Sequence, residues 1–316
     1  MKILFFGSTA DSVLVLDALY KAGYTLCAVV TQPKKPIGRQ HVLTKTPTED
    51  WANNHAISVV SFASKEKTVF YEDEDAVINT LSTFKADILI SASYGQKIPT
   101  KTISDAPYGG LNVHPSLLPR WRGADPIPWQ IMAADRHSGV TIVTLTENMD
   151  EGKIIAQKKI PLSGKEERED LRRTLFTLGA NLLVATLPKY LAGTIKGKQQ
   201  DPTHATFARR LSREDGFFDW NVIQNAMAGK NPKQIERAVR AYSPWPGVWT
   251  MLPNKKRMKI LAAHIHDDAL ILDKVQIEGK TPQQFLKIAQ HILCNAFFEL
   301  ARSKKRRTTG KQSYTP

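Results

Sequence analysis

The chain is poor in cysteine: Cys27 and Cys294 are the only two in 316 residues, and neither lies in a C-x-x-C pair. That excludes a disulfide scaffold and leads us to expect a reducing compartment and no structural zinc. Long apolar runs are missing as well. The longest charge-free apolar stretch, residues 174–188, is interrupted by Gly179 and Asn181, and at 15 residues it falls short of the ~20 that span a bilayer. At the start, Asp11 cuts the apolar run and an amphipathic pattern follows instead of a small-residue cleavage site, so no export leader is expected. Nucleotide, serine-hydrolase and zinc-protease signatures are absent too. Gly7-Ser-Thr-Ala holds one glycine where G-x-G-x-x-G needs three, and neither G-x-x-x-x-G-K-[ST], G-x-S-x-G nor H-E-x-x-H occurs.

Acid is the other shortage. The chain carries 44 basic against 30 acidic side chains, net +14, with an ordinary globular content of 42% hydrophobic residues. The excess is uneven: residues 1–206 are net +3 and residues 207–316 net +11. Residues 302–316 alone hold six cations and no acid. Such a balance speaks of partners and solubility rather than of fold.

The N-terminal half alternates apolar strand runs with helical periodicity. Strands are expected at 2–7, 25–30, 57–62 and 87–92, with helices at 11–22 and 76–84. That alternation predicts an α/β fold, a Rossmann-like, doubly wound, mostly parallel sheet. Residues 139–146 and 152–161 read as a strand pair about the turn Asn148-Met-Asp-Glu-Gly, and residues 168–191 as a long helix. The character changes near Asp201-Pro202. Three strand-like runs, 248–252, 257–265 and 270–277, then precede a helix expected over 282–302. The domain reading is a catalytic domain over 1–200, a connector over 201–246, a small β-rich domain over 247–301 and a basic, disordered tail over 302–316.

Sheets of this kind bind ligands beyond the carboxyl ends of their strands. Asn112 and His114, two apart on a predicted strand that Pro115 ends, project to one side at such a place. With Asp150 from the strand-pair turn they form a plausible chemical set. An amide donates to a developing oxyanion, an imidazole exchanges protons near neutral pH, and a carboxylate orients the imidazole. Each residue alone has an ordinary structural explanation; together they define a candidate site. His264-x-His266-Asp267 reads as alternating polar positions on a strand rather than as a metal site.

Asn112-x-His114-x-Ser116-Leu-Leu-Pro119, Trp121-Arg-Gly-Ala-x-Pro-Ile127, Ser138-Gly-Val-Thr-Ile142 and Met149-Asp150-x-Gly152 together resemble the folate-dependent formyltransferases. Thr31-Gln-Pro33, Pro36-x-Gly-Arg39, Tyr94-Gly95 with Ile98-Pro99, Phe207-Ala-x-x-Leu211 and Pro244-Trp-Pro246 are similar to that family too, over roughly residues 1–250. Within the family, the likeness is to the branch that formylates the methionine of initiator tRNA. The resemblance implies 10-formyltetrahydrofolate as donor and the α-amino group of methionyl initiator tRNA as acceptor; a cytoplasmic location is expected, and a monomer is the default. It implies catalysis by Asn112, His114 and Asp150 without metal, and folate contacts from Ser116, Leu117, Leu118, Pro119, Tyr94 and Gly95. It also implies tRNA contacts from the cationic loop with Lys34, Lys35, Arg39 and Lys45, and an OB-like C-terminal barrel of about five strands.

Two departures stand out. Gly7 is followed by Ser-Thr-Ala instead of Thr-Pro and an aromatic, and only three C-terminal strands are legible, so a shortened or open barrel is expected. Two rivals stay open: a formyltransferase for an amino-sugar nucleotide, and a non-catalytic RNA-binding protein on the same fold. The basic C-terminal part argues against the first, and the Asn-His-Asp set against the second.

Overall fold

The structure is a computed structural model that describes residues 1–37, 42–66 and 68–289. It divides into two compact units, the first made of residues 1–130, 135–165 and 169–210 and the second essentially of residues 211 onward.

The first unit is built on a seven-stranded sheet. Its strands are β1 (Lys2–Phe6), β2 (Thr25–Thr31), β5 (Val59–Ser61), β6 (Ile88–Ser91), β7 (Gly110–His114), β8 (His137–Thr144) and β9 (Ile154–Pro161). A short separate hairpin, β3 (Lys35–Ile37) with β4 (Val42–Thr44), lies outside it. The sheet order is β5-β2-β1-β6-β7-β8-β9. Pairings from β5 through β7 are parallel, and β7–β8 and β8–β9 are antiparallel.

The strands of the parallel part are apolar on both faces because both faces are covered. In β1, Ile3 and Phe5 point into one core with Val15, Leu16 and Leu19 of α1 (Ala10–Lys21). That core also holds Phe176, Leu183 and Leu187 of α6 (Arg168–Leu191). Leu4 and Phe6 point into the opposite core, with Val77 and Leu81 of α3 (Glu74–Ser82) and Ile103 of α4 (Thr100–Asp105). Helices α2 (Pro47–Asn54) and α5 (Pro126–Met132) complete the set. The departing sequence after Gly7 is closed by its own hydroxyls. Ser12 Oγ accepts from the Ser8 and Thr9 amides and donates to the Ala92 carbonyl, tying the end of β1 to the end of β6.

In the second unit α7 (Trp220–Met227) and α8 (Pro232–Tyr242) lie within the stretch read as a connector. They pack on an antiparallel sheet of β10 (Val248–Met251), β11 (Arg257–His266), β12 (Ala269–Ile277) and β13 (Gln283–Gln284), in that order. Ile235, Ala238 and Tyr242 of α8 are buried, as are Met258, Ile260, Leu272 and Val275 of the sheet.

One expectation is corrected here. The helix predicted over 282–302 does not begin as a helix: Gln283 and Gln284 pair with Val275 and Lys274, and residues 285–287 form a single 3-10 turn. Phe285 is buried, and anchoring it against the sheet competes successfully with helical periodicity. Among the described residues this unit therefore has four strands, not three. The rest of the predicted helix and the basic tail over 302–316 lie outside the described residues.

Candidate active site

Asn112 and His114 sit in the last three positions of β7, beside the carboxyl end of β6, with Ser91 registered on Asn112. Leu111 and Val113 point into the core under α1 and α6, so the alternation of the strand sends Asn112 and His114 to the opposite face. Asp150 comes from the turn between β8 and β9, where its φ is +58°. That turn is closed tightly on Thr144, whose Oγ1 accepts from the Lys153 amide at 2.8 Å. A Cβ on Gly152 would lie 1.9 Å from the Thr144 carbonyl oxygen, so only glycine fits there.

The three side chains meet at one carboxylate. Asn112 Nδ2 donates to Asp150 Oδ1 at 3.2 Å, and His114 Nδ1 lies 3.4 Å from the same oxygen. The other oxygen, Oδ2, accepts from the Gly123 amide at 2.8 Å. His114 Nε2 lies 2.8 Å from the Trp121 carbonyl oxygen. A carbonyl only accepts, so the network assigns a hydrogen to Nε2, and Nδ1 is the nitrogen that faces Asp150. His114 is only 3% exposed. A charge exchanged there is held in a site with little competing water.

These residues line a cavity of about 650 Å³. Ile98, Ile103, Val143, Leu145 and Phe176 supply apolar wall, and Tyr94, Gly95, Gln96 and Arg172 lie along it. Tyr94 shares a hydroxyl–hydroxyl hydrogen bond of 2.8 Å with Tyr71. Burial pushes the Tyr71 hydroxyl up to about 12 and raises that of Tyr94 further. Gln96 donates to the Phe62 carbonyl and to Ser64, while its buried Oε1 has no hydrogen-bond partner among the described residues.

The structure thus gathers Asn112, His114, Asp150, Tyr94 and Gly95 around one cavity. It does not bring Ser116, Leu117, Leu118 and Pro119 into the cavity wall, which includes Pro115 and resumes at Gly123. Ser116 is wholly buried and donates to the Arg120 carbonyl, while its own carbonyl accepts from Thr141 Oγ1. Of the cationic loop, Lys34 is exposed and 3.6 Å from Glu49, Lys35 donates to Gln32, and Lys45 is exposed. Arg39 lies outside the described residues.

Sequence reasoning passed over Tyr71, Gln96, Arg172 and Gln200. Tyr71, Arg172 and Gln200 stand apart in sequence from the matching motifs, so no spacing signal marks them, whereas Gln96 sits between Tyr94-Gly95 and Ile98-Pro99 and that neighbourhood was its only signal. Among the described residues no group of three or more His, Cys, Asp or Glu side chains is arranged to hold a metal, and no helix is long and apolar enough to cross a membrane.

Residues 1–187 match the formyl transferase family, and residues 210–271 its C-terminal domain. A methionyl-tRNA formyltransferase of Lachnospira eligens is 34% identical over 291 residues, 92% of this chain and 86% of that protein. One of Chloroflexus aggregans is 38% identical over 250 residues, 79% of this chain and 76% of that protein. Among solved structures, HypX from Aquifex aeolicus in complex with tetrahydrofolic acid superposes with a TM-score of 0.59 at 16% identity, which is a likeness of fold alone. The match covers 92% of this chain and 47% of HypX, so the chain spans about half the length of that protein. With the N-terminal family match extending over more than half of its length and the two relatives above aligned over most of it, the chain belongs to the formyl transferase family, and both of those relatives are methionyl-tRNA formyltransferases.

Proposed function

We propose that the chain transfers a formyl group from 10-formyltetrahydrofolate to the α-amino group of methionyl initiator tRNA. The observation that carries the reading is the convergence of Asn112 and His114 on Asp150 at the mouth of β7, in a chain whose relatives bear that activity by name.

The residues fit the donor chemically. A flat, amphipathic ring system is matched by the apolar wall, with Tyr94 and Gln96 among the polar side chains along it. Bound there, the donor supplies a formyl carbon attached to a weakly basic nitrogen. Asn112 has a second amide hydrogen beyond the one given to Asp150, and directs it at the formyl oxygen as negative charge grows on it. His114 Nδ1 is the only ring nitrogen left for substrate, because Nε2 is held by the Trp121 carbonyl. With a hydrogen on both nitrogens, the ring donates from Nδ1 to the same oxygen as the amine–carbon bond forms. Asp150, whose Oδ1 faces Nδ1, holds that doubly protonated ring by opposite charge and accepts the proton lost by the attacking amine. As the bond to the folate nitrogen breaks, His114 gives its Nδ1 proton to that nitrogen and the proton on Asp150 passes to Nδ1, so the site ends with the protons it began with.

Ser116 to Pro119, expected to touch folate, act in this reading as the turn that fixes the end of β7, with Ser116 and Leu118 buried. Lys34, Lys35, Arg39 and Lys45 form a cationic loop suited to acceptor-stem phosphates. The test is formylation of methionyl initiator tRNA by the purified protein with 10-formyltetrahydrofolate, run beside UDP- and dTDP-linked amino sugars. Product on the tRNA is the expected result; product on a sugar alone overturns the acceptor.

A further inference from the structure

Gln200 and Arg122 lie behind Asp150, each 5% exposed, and the chemistry described so far uses neither. Gln200 Nε2 donates both of its hydrogens to the Asp150 turn, one to the Asp150 carbonyl at 2.7 Å and one to the Gly152 carbonyl at 2.8 Å. Its Oε1 accepts two bonds from Arg122, from Nε at 3.1 Å and Nη2 at 3.0 Å. Arg122 Nη1 reaches the remaining residue of the turn, Glu151, at 2.9 Å. Residues 150, 151 and 152 are therefore all held by one amide–guanidinium pair.

The backbone around Arg122 grips the same site from the other side. The Trp121 carbonyl accepts from His114 Nε2, and the Gly123 amide donates to Asp150 Oδ2. A Cβ on Gly123 would lie 2.7 Å from the Ala208 carbonyl oxygen, so this segment is pinned against residues 206–208, with which Arg122 exchanges backbone bonds. Arg122 thus connects the strand that sets His114 to the turn that sets Asp150. A left-handed aspartate is an uncommon conformation that its surroundings must impose. Here Gln200 braces it by donating to the carbonyls on either side of Glu151.

We infer that Arg122 and Gln200 are positioning residues that fix the Asp150 carboxylate against His114. The inference rests on the catalytic reading of that pair. Gln200→Glu isolates the effect: a carboxylate still accepts from Arg122 and cannot donate to the two carbonyls. The expected result is a fall in kcat of about 10- to 100-fold, the scale on which misplacing a group by ~1 Å acts. KM for the folate donor should stay within about two-fold and the pH profile of kcat should shift. A second readout needs no substrate. In protein labelled with ¹⁵N-histidine, the His114 ring resonances, assigned by their loss in His114→Ala, should move in the variant.

Unmoved His114 resonances, or an unmoved pH profile with kcat intact, overturn the proposal. If the wild-type protein fails to formylate tRNA while the resonances do move, the positioning role stands and the functional reading falls. Gln200→Asn keeps the amide but not its reach, and serves by the same readouts if Gln200→Glu does not fold.

Discussion

The large sheet carries two cavities of similar size and opposite character. One, of about 650 Å³, opens beyond the carboxyl ends of the strands; the other, of about 520 Å³, lies beside the amino end of β6 under α3 and α4. The second has apolar walls from Leu4, Leu81 and Leu89, and its two carboxylates serve the scaffold: Asp87 accepts from the Lys2 amide, and Asp105 pairs with Lys101. In the first, amide, imidazole and carboxylate converge on shared atoms, and a further buried layer holds them. Volume does not distinguish the two; convergence of polar groups does. The cause lies in the topology. Asn112 and His114 stand toward the carboxyl end of the parallel strand β7, and the turn between antiparallel β8 and β9 brings Asp150 to them, so residues far apart in sequence meet there.

The comparison breaks most directly at His114. His114→Ala should lower kcat at least ~100-fold with the fold retained. Steady-state kinetics beside circular dichroism checks this, and near-normal turnover would remove the imidazole from the chemistry. Gly152→Ala should come next. Its methyl group would collide with the Thr144 backbone, costing about 2 kcal/mol of stability along with activity, as thermal melts would read. A melt unchanged within error would show that the turn has slack that the close contact denies.

A smaller effect is alkaline. Burial raises the hydroxyls of Tyr71, to about 12, and Tyr94 in the folded state. Above pH ~10 the unfolded chain loses these protons while the fold keeps them, so stability must fall as pH rises from there. The slope is at most about 1.4 kcal/mol per pH unit for each tyrosine. Tyr71→Phe combined with Tyr94→Phe should flatten it in melts between pH 9 and 11.5, and an equally steep slope in the double variant would assign the alkaline loss elsewhere. The smallest effect belongs to the second cavity. Thr102 Oγ1 is buried without a hydrogen-bond partner among the described residues. Thr102→Val should therefore leave kcat unchanged and raise stability by up to ~1 kcal/mol. A loss of turnover there would mean that the two cavities are coupled.

Much of the large sheet was legible because its signal is local. Apolar runs such as Ile3 to Phe6 and Val29 to Val30 report strands covered on both faces, and α6 was visible end to end from its apolar spacing. The short helices α7 and α8 were not separated from their loop-like neighbours. Asp219 precedes one and Asn231-Pro232 the other, but both helices are short, and tertiary burial of Trp220, Ile223 and Ile235 stabilises them. Gln283 and Gln284 fit a helical pattern and were claimed by β12, because a sheet edge offers backbone partners that no local rule anticipates.

The sequence by itself determined the alternation of strand and helix, the side of β7 on which Asn112 and His114 lie, and, through the spread of matching motifs, the family. Each of those follows from spacing along one chain. The tertiary structure alone decided that one oxygen of Asp150 takes both partners, that His114 offers Nδ1 rather than Nε2, and that Gln200 holds the turn from a distance of 50 residues. Hydrogen-bond geometry between segments depends on how the strands stack and where the loops return, and that information is held by the packed fold rather than by any one stretch of sequence.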